Sequence, residues 1–105
     1  MRFRLSLQAL RDIEDIRAFT VGTWGREQWL RYFAGLTASF KRIADDPSCG
    51  RPRDLIRDRM RSLTYQRHLI FFAAPANPDD VVAILRIIHE RRNHAALSYH
   101  DDLDS

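Results

Sequence analysis

Histidine, cysteine and serine are the residue types that most often serve as a catalytic base or nucleophile. His89 follows an apolar segment, and because imidazole as a side-chain type exchanges protons near neutral pH, it alone has the properties of a general acid or base. The alternative interpretation is a histidine that only ends a strand. No local pattern marks a nucleophile triad, and Cys49 is interpreted as an incidental loop residue.

Phosphate, metal and cofactor chemistry have no support in the spacing of residues. Residues 50–52 contain a glycine but lack the flanking strand and helix of a phosphate-binding loop. The four histidines are scattered, and the lone Cys49 can form neither a zinc cluster with them nor an internal disulfide. We therefore expect no metal site and no cofactor.

Basic side chains surround the predicted strands of the C-terminal half. Arg67 and His68 lie at one predicted hairpin end, and residues 89–92 follow the last strand. Together they could hold a phosphate backbone, with an affinity that falls as salt rises, or attract an acidic protein partner. The alternative is a solvated arginine fringe paired with nearby acids, in which each pair contributes only about 0–1 kcal/mol.

Arginine supplies nearly all of the positive charge. Lys41 is the only lysine in a chain of net charge +3. Arginine binds carboxylate and phosphate through two parallel hydrogen bonds and stacks on aromatic rings, which favours an interface. A GC-rich genome, whose codons favour arginine, would produce the same composition.

Length and hydropathy predict one globular domain. The chain has 105 residues, of which 45% are hydrophobic and 30% charged. No apolar run approaches the ~20 residues that a membrane-spanning helix needs, and residues 1–5 lack the apolar core of a signal peptide. We expect a cytoplasmic protein that does not associate with membranes.

A short strand and a first helix are predicted at the N-terminus. Phe3, Leu5 and Leu7 alternate with polar residues, which is the period of a strand with one buried face. Ser6 can cap a helix over residues 7–22 through its side-chain oxygen.

A second helix is predicted from about Arg26 to Asp46. Residues 22–25, which include two glycines, separate it from the first helix, and Pro47 ends it. The short separation predicts an antiparallel helical hairpin. Apolar residues recur along the second helix at steps of three and four: Trp29, Phe33, Leu36, Phe40 and Ile43.

Three strands are predicted after a connection over residues 45–58. They are Met60–Tyr65, His68–Ala74 and Val81–Glu90, separated by short turns that favour an antiparallel meander. The last strand is apolar almost throughout, which is typical of a central strand covered on both faces, although a buried helix is the competing interpretation. The predicted fold class is α+β, with a strand, a helical hairpin packed on one sheet face, and the meander.

The C-terminal residues carry no periodic pattern. We expect one domain over residues 1–92 and a flexible tail over residues 93–105. Trp24 and Trp29 flank the turn between the helices, and each could belong to the core or to an exposed groove for a partner helix.

Six segments, taken in order, resemble the ParE toxin family, a branch of the ParE/RelE superfamily. The resemblance spans roughly residues 3 to 92. The segments are Leu5-Ser6-Leu7-Gln8-Ala9, Thr23-Trp24-Gly25-Arg26-Glu27-Gln28, Gly50-Arg51-Pro52-Arg53, Arg61-Ser62-Leu63, Arg67-His68-Leu69-Ile70-Phe71-Phe72 and Ile84-Leu85-Arg86-Ile87-Ile88-His89-Glu90-Arg91-Arg92.

The resemblance implies the toxin of a type II toxin–antitoxin system, neutralised in a hetero-oligomer by a ParD-like antitoxin. It implies DNA gyrase as the target, inhibited by binding to one state of the enzyme and without catalysis by the toxin. We expect antitoxin contacts at Trp24, Trp29, Phe33 and Leu36. The residues expected to bind the target are Arg61, Arg67, His89, Arg91 and Arg92.

The superfamily also contains RelE-like endoribonucleases that cleave mRNA on the ribosome. If this chain resembled them in activity, its catalytic residues would be Arg67, Arg86 and His89. Two features argue against that alternative. Such nucleases commonly have a lysine-rich face, whereas Lys41 is the only lysine of this chain. Tyr99, the only tyrosine after the last strand, lies in a tail with little to hold it.

Overall fold

The computed structural model describes residues 3–75, 77 and 80–101. It confirms the α+β class and the predicted order of a strand, two helices and three further strands. The elements are β1 (Phe3–Leu5), α1 (Leu7–Trp24), α2 (Arg26–Asp45), β2 (Arg51–Pro52), β3 (Met60–Tyr65), β4 (His68–Ala73), β5 (Val82–His89) and a 3-10 turn (His94–Ala96).

The strands form one mixed sheet in the order β1-β5-β4-β3-β2. β3, β4 and β5 pair antiparallel, which confirms the predicted meander, and β1 pairs parallel with β5. The β3–β4 turn is tight: Tyr65 pairs with His68, and Gln66 has a φ of 55°. β2 lies within the connection predicted to be a loop, and it is too short to show a period in the sequence.

The two helices are separated by a single residue. Ser6 caps α1 as predicted, since its Oγ accepts from the backbone N–H of Ala9 at 3.0 Å. The predicted break at residues 22–25 is too wide, because α1 continues to Trp24 and only Gly25, with a φ of 94°, leaves helical geometry. Neither helix is long and apolar enough to span a membrane.

Apolar residues cover both faces of the sheet, as the composition of β5 predicts. Side chains of α1 and α2 pack on one face, where Leu36, Phe40 and Ile43 meet Phe72 and Ile84 of the sheet. The fully buried Met60, Phe71 and Leu85 belong to a second cluster on the other face, which includes Tyr99. The helices therefore lie on one side only, and the C-terminal segment helps to cover the other.

The C-terminal segment is held by side-chain contacts, contrary to the expectation of a tail without them. Tyr99 packs on Phe71 with ring centroids 4.8 Å apart, and its hydroxyl donates to the carbonyl of His94 at 2.8 Å. The buried carboxylate of Asp101 accepts two hydrogen bonds of 2.6 Å from Arg4. Residues 102–105 of the predicted tail lie outside the described residues.

Side chains near the start of α1 form hydrogen bonds with backbone groups of β5 beyond the residues that pair with β1. Ser6 donates through its Oγ to the carbonyl of Leu85 at 2.8 Å. Asp12 accepts the backbone N–H of Ile87 at 3.0 Å. Because unpaired strand edges attract other strands, these two side chains both fix α1 on the sheet and close this edge to pairing.

Candidate functional site

An open groove of about 900 Å³ lies between the helical hairpin and one end of the sheet. Its walls come from α1, from α2, from the β3–β4 turn and from the end of β5. The antiparallel register brings these strand ends together, since His68 at the start of β4 pairs with His89 at the end of β5. The groove therefore collects residues that are more than 20 positions apart along the chain.

Exposed aromatic rings form the α1 wall of the groove. Phe19 and Trp24 line it with 67% and 70% of their surfaces exposed. Large apolar side chains in water at the edge of a concave surface are typical of binding sites.

The floor of the groove is a cluster of tyrosine and histidine rings. The Tyr32 hydroxyl lies 2.9 Å from His68 Nδ1, and the Tyr65 hydroxyl donates to the carbonyl of Tyr32 at 2.9 Å. His68 and His89 contact edge to face with centroids 5.4 Å apart. A Cβ at Gly35 would overlap the Tyr65 hydroxyl, so this glycine lets Tyr65 reach α2.

Burial shifts the titration of two groups in this cluster. Desolvation, followed by repulsion from His89, lowers the pKa of His68 below its usual value, with Glu90 and Asp12 opposing the shift. Desolvation and the neighbouring Tyr65 raise the pKa of Tyr32. Near neutral pH both rings are therefore favoured in their uncharged forms, which keep the hydrogen bond between them.

Arginine side chains supply the positive charge of the groove. Arg31 of α2, Arg67 of the β3–β4 turn and Arg92 after β5 all line it. Arg67 forms a loose, exposed ion pair with Glu90 at 3.5 Å. In the part of the chain that the structure describes, no carboxylate forms an ion pair with Arg31 or Arg92.

Four of the five residues predicted to bind the target lie near this end of the sheet. Arg67, His89 and Arg92 line the groove, and the exposed Arg91 donates its backbone N–H to His89 Nδ1 at 3.2 Å. Arg61 is the exception, because it lies toward the other end of β3. Its guanidinium donates to the carbonyls of Cys49 and Gly50, both at 2.9 Å, which holds the chain leading into β2.

Arg86, one of the three residues expected to be catalytic in an RNA-cleaving toxin, is buried and hydrogen-bonded within the fold, unlike Arg67 and His89. Its guanidinium donates to both carboxylate oxygens of Asp12, at 2.7 and 3.0 Å, and to the carbonyl of Ser98 at 2.9 Å. The side chain is only 6% exposed. Arg86 therefore joins α1, the sheet and the C-terminal segment, and it does not line the groove.

The expected antitoxin contacts divide into surface and core residues. Trp24 is exposed at the groove, and Phe33 is partly exposed on α2. Trp29 is 8% exposed and stacks on Phe33 with centroids 5.2 Å apart. Leu36 is 0% exposed. Leu36 therefore belongs to the core and not to a binding surface. The prediction included it because helical spacing shows which residues share a stripe, but not which side of that stripe faces the sheet.

Several groove residues were not identified from the sequence. Phe19, Arg31, Tyr32 and Tyr65 carry no local signal of binding, because the groove exists only once the hairpin lies across the strand ends. A signal was available for Arg86, since a charged side chain inside an apolar strand needs a buried partner. No cluster of three or more metal-binding side chains occurs among the described residues.

Comparison with known proteins agrees with this architecture. The sequence model of one family, described as "ParE toxin of type II toxin-antitoxin system, parDE", matches residues 3–94. The chain is 31% identical to "Toxin ParE1" of Caulobacter vibrioides over 94 residues, which cover 90% of this chain and 94% of that protein. It is 30% identical to "Toxin ParE1" of Mycobacterium tuberculosis (strain ATCC 25618 / H37Rv) over 90 residues, 86% of this chain and 90% of that protein.

A solved structure shares the fold. A chain of the structure titled "Chromosomal ParDE TA system from P. aeruginosa" matches with a TM-score of 0.69 at 22% sequence identity. The match covers 85% of the present chain and 95% of the other. At this identity the likeness supports the architecture of strand, hairpin and sheet.

Proposed function

The chain belongs to the ParE toxin family of type II toxin–antitoxin systems, and we propose that it inhibits DNA gyrase by binding and is neutralised by a ParD-like antitoxin. The observation that carries the proposal is the groove, which brings exposed aromatic rings and arginine side chains together on one surface of a ParE-family chain. Such a surface fits a macromolecule that offers both apolar and negatively charged groups.

Exposed apolar residues of the hairpin support binding of an antitoxin. Trp24 and Phe33 expose rings that an antitoxin segment would remove from water, and tryptophan is enriched among the residues that dominate binding energy. An amphipathic or extended segment that folds onto this surface would bury them. Leu36 contributes indirectly, by packing α2 on the sheet, and Trp29 does so by stacking on Phe33 within α2.

Arginines and histidines at the end of the sheet support contact with the target. His89 ends β5, Arg67 directly precedes β4, and Arg91 and Arg92 follow β5, so the pairing of the two strands places all four side chains at one end of the sheet. A backbone that is already paired needs less ordering when a partner binds. Inhibition by preferential binding to one state of gyrase needs no reaction on the toxin. The geometry favours this over RNA cleavage, because Arg86 is held by Asp12 and does not line the groove. Tyr99 is held by Phe71, contrary to the expectation of a loose tail, but it is buried in the cluster on the sheet face away from the helices.

A gyrase assay with purified components tests the proposal. The toxin is expected to inhibit supercoiling and to increase the amount of cleaved plasmid trapped on gyrase, and added antitoxin is expected to abolish both effects. Replacing Arg92 with alanine is expected to weaken inhibition, whereas Arg51→Ala, an exposed arginine on β2 at the far edge of the sheet, is a matched control. Normal supercoiling at a large excess of folded toxin would contradict the proposal.

Antitoxin binding is tested separately by calorimetry. Phe33→Ala is expected to weaken the complex by about 1 kcal/mol or more if the ring is an anchor. Leu55→Ala removes an apolar side chain that is 104% exposed and remote from the groove, so it should leave the affinity unchanged. Equal losses from both substitutions would mean that the hairpin surface is not the binding site.

A further inference from the structure

The groove has the composition of a site for unpaired nucleotides. Proteins that bind single-stranded nucleic acid combine a positively charged groove with aromatic rings on which bases stack. Here Phe19 and Trp24 present largely exposed rings on one wall, and Arg31, Arg67 and Arg92 bring positive charge to the same groove. The volume of about 900 Å³ lies within the range of sites that enclose small molecules or parts of larger ones.

We infer that this groove binds single-stranded DNA, with bases stacked on Trp24 and Phe19 and phosphates held by Arg31, Arg67 and Arg92. Single strands fit better than duplex, because the faces of paired bases are covered by their neighbours and cannot reach a ring in the groove wall. The choice of DNA over RNA rests on the proposed function, since gyrase acts on DNA.

The charges inside the groove are compatible with a phosphate backbone. The carboxylate of Asp12 is neutralised by Arg86 through two hydrogen bonds. Asp15 is the remaining acid that lines the groove. Replacing Asp15 with asparagine removes one repulsive charge, so this substitution is expected to strengthen binding of DNA.

The inference also supplies a mechanism of neutralisation. Trp24 belongs both to the groove and to the apolar surface proposed for the antitoxin. A base stacked on the exposed ring of Trp24 would occupy space that an antitoxin segment packed on the same ring needs. Antitoxin and single-stranded DNA are therefore expected to compete for the toxin.

The experiment titrates the full-length chain into a fluorescein-labelled oligothymidylate of about 12 nucleotides, a length within the usual site size. Fluorescence anisotropy measures binding. A second readout uses Trp29→Phe, which leaves Trp24 as the only tryptophan of the chain, so that base stacking is seen as quenching. We expect saturable binding, quenching of Trp24 and an affinity several-fold above that for a duplex of the same length.

Matched variants separate stacking from charge. Trp24→Ala is expected to weaken binding about fivefold or more, the loss typical of one stacked base. Arg92→Ala is expected to weaken binding and to reduce the slope of log K against log salt by about 0.7, the value for one phosphate contact on a single strand. Leu55→Ala and Arg51→Ala, both outside the groove, are expected to change neither quantity.

The outcomes distinguish this inference from the proposed function. Gyrase inhibition without binding of the oligonucleotide would overturn the inference and leave the gyrase proposal standing. Binding of the oligonucleotide that depends on Trp24 and Arg92, without any effect on gyrase, would overturn the gyrase proposal and leave the inference standing. Duplex binding as tight as single-strand binding, an RNA of the same sequence bound more than tenfold tighter, or an unchanged affinity for Trp24→Ala would each overturn the inference.

Discussion

Arg86 in the middle of β5 and Arg67 in the β3–β4 turn have chemically identical side chains, yet the fold gives them opposite environments. Arg86 and its partner Asp12 are 6% and 7% exposed and share two hydrogen bonds. Arg67 and Glu90 are 73% and 40% exposed and meet at 3.5 Å. In a ParE-family chain rich in arginine, burial and partner therefore decide which arginines hold the fold together and which remain available to a target.

Breaking the buried pair is expected to have the largest effect. Arg86→Ala leaves the Asp12 carboxylate buried without its partner, and such losses typically cost about 3–5 kcal/mol. Since a small domain is stable by only about 5–15 kcal/mol, the variant should lose a large share of its free energy of unfolding at 25 °C. Urea denaturation followed by circular dichroism measures the change.

A double variant tests the cause of that loss. Asp12→Leu combined with Arg86→Met removes both charges, so stability should largely recover. Recovery should remain incomplete, because the Ile87 N–H and the Ser98 carbonyl each lose a hydrogen bond worth about 1 kcal/mol. A double variant as unstable as Arg86→Ala would show that packing, and not an orphaned charge, is responsible.

The buried environment of Arg86 includes the C-terminal segment, so the next largest effect is expected at Tyr99. Tyr99→Ala opens a cavity against Phe71, and removal of a buried aromatic ring typically costs about 3–5 kcal/mol. Tyr99→Phe loses only the hydrogen bond to the carbonyl of His94, worth about 1 kcal/mol. Thermal unfolding of both variants provides the measurement.

The same pair of variants decides whether the segment is a part of the fold. Nearly unchanged stability of Tyr99→Ala would mean that the C-terminal residues rest on the sheet without stabilising it. Protection of the Tyr99 region from proteolysis gives an independent readout, because a docked segment is cleaved only when it opens.

His68 lies at the groove and is half-buried, so its exposure is intermediate between those of Arg86 and Arg67. Its contribution to stability is expected to depend on pH. Its pKa in the folded chain lies below the unfolded value of about 6.5, so the folded chain favours the neutral ring. The stabilisation is complete above the unfolded pKa and is lost as pH falls through about 6.5 toward the lower folded pKa. Stability should therefore decrease on acidification in this window.

Comparing two histidine variants isolates this group from the other titrating residues. His68→Gln should flatten the decline of the urea midpoint between about pH 7.5 and 5.5. His100→Gln changes an exposed histidine outside the groove and should leave the decline as it is. If both variants behave like the parent chain, His68 does not titrate in this window.

Local pattern was sufficient to predict most of the fold. The sequence predicts β5 as a covered central strand because residues 81–88 are apolar except for Arg86, which leaves few other solutions. The end of α1 was placed too early because one glycine in a helix costs only about 1 kcal/mol, which the contacts of the hairpin can offset. β2 was missed because two residues have no period.

The site was only partly predictable, because it depends on contacts between distant residues. Arg67, His89 and Arg92 could be grouped, since hairpin register brings their strand ends together. Asp12 and Arg86 are 74 positions apart, and no local rule pairs them. The sequence indicates which residues are able to bind a phosphate, but burial decides which of them are able to reach one.

The smallest effect on stability is expected at Arg67. Because its ion pair with Glu90 is exposed and long, Arg67→Ala should change the free energy of unfolding by less than about 1 kcal/mol. Gyrase inhibition should nevertheless weaken, and more so at low salt, since a surface arginine acts on association through its charge. Arg67→Lys keeps the charge but not the planar fork, so it should restore inhibition only in part. A loss of stability as large as that of Arg86→Ala would remove the distinction between the two arginines, because it would place Arg67 among the residues that hold the fold.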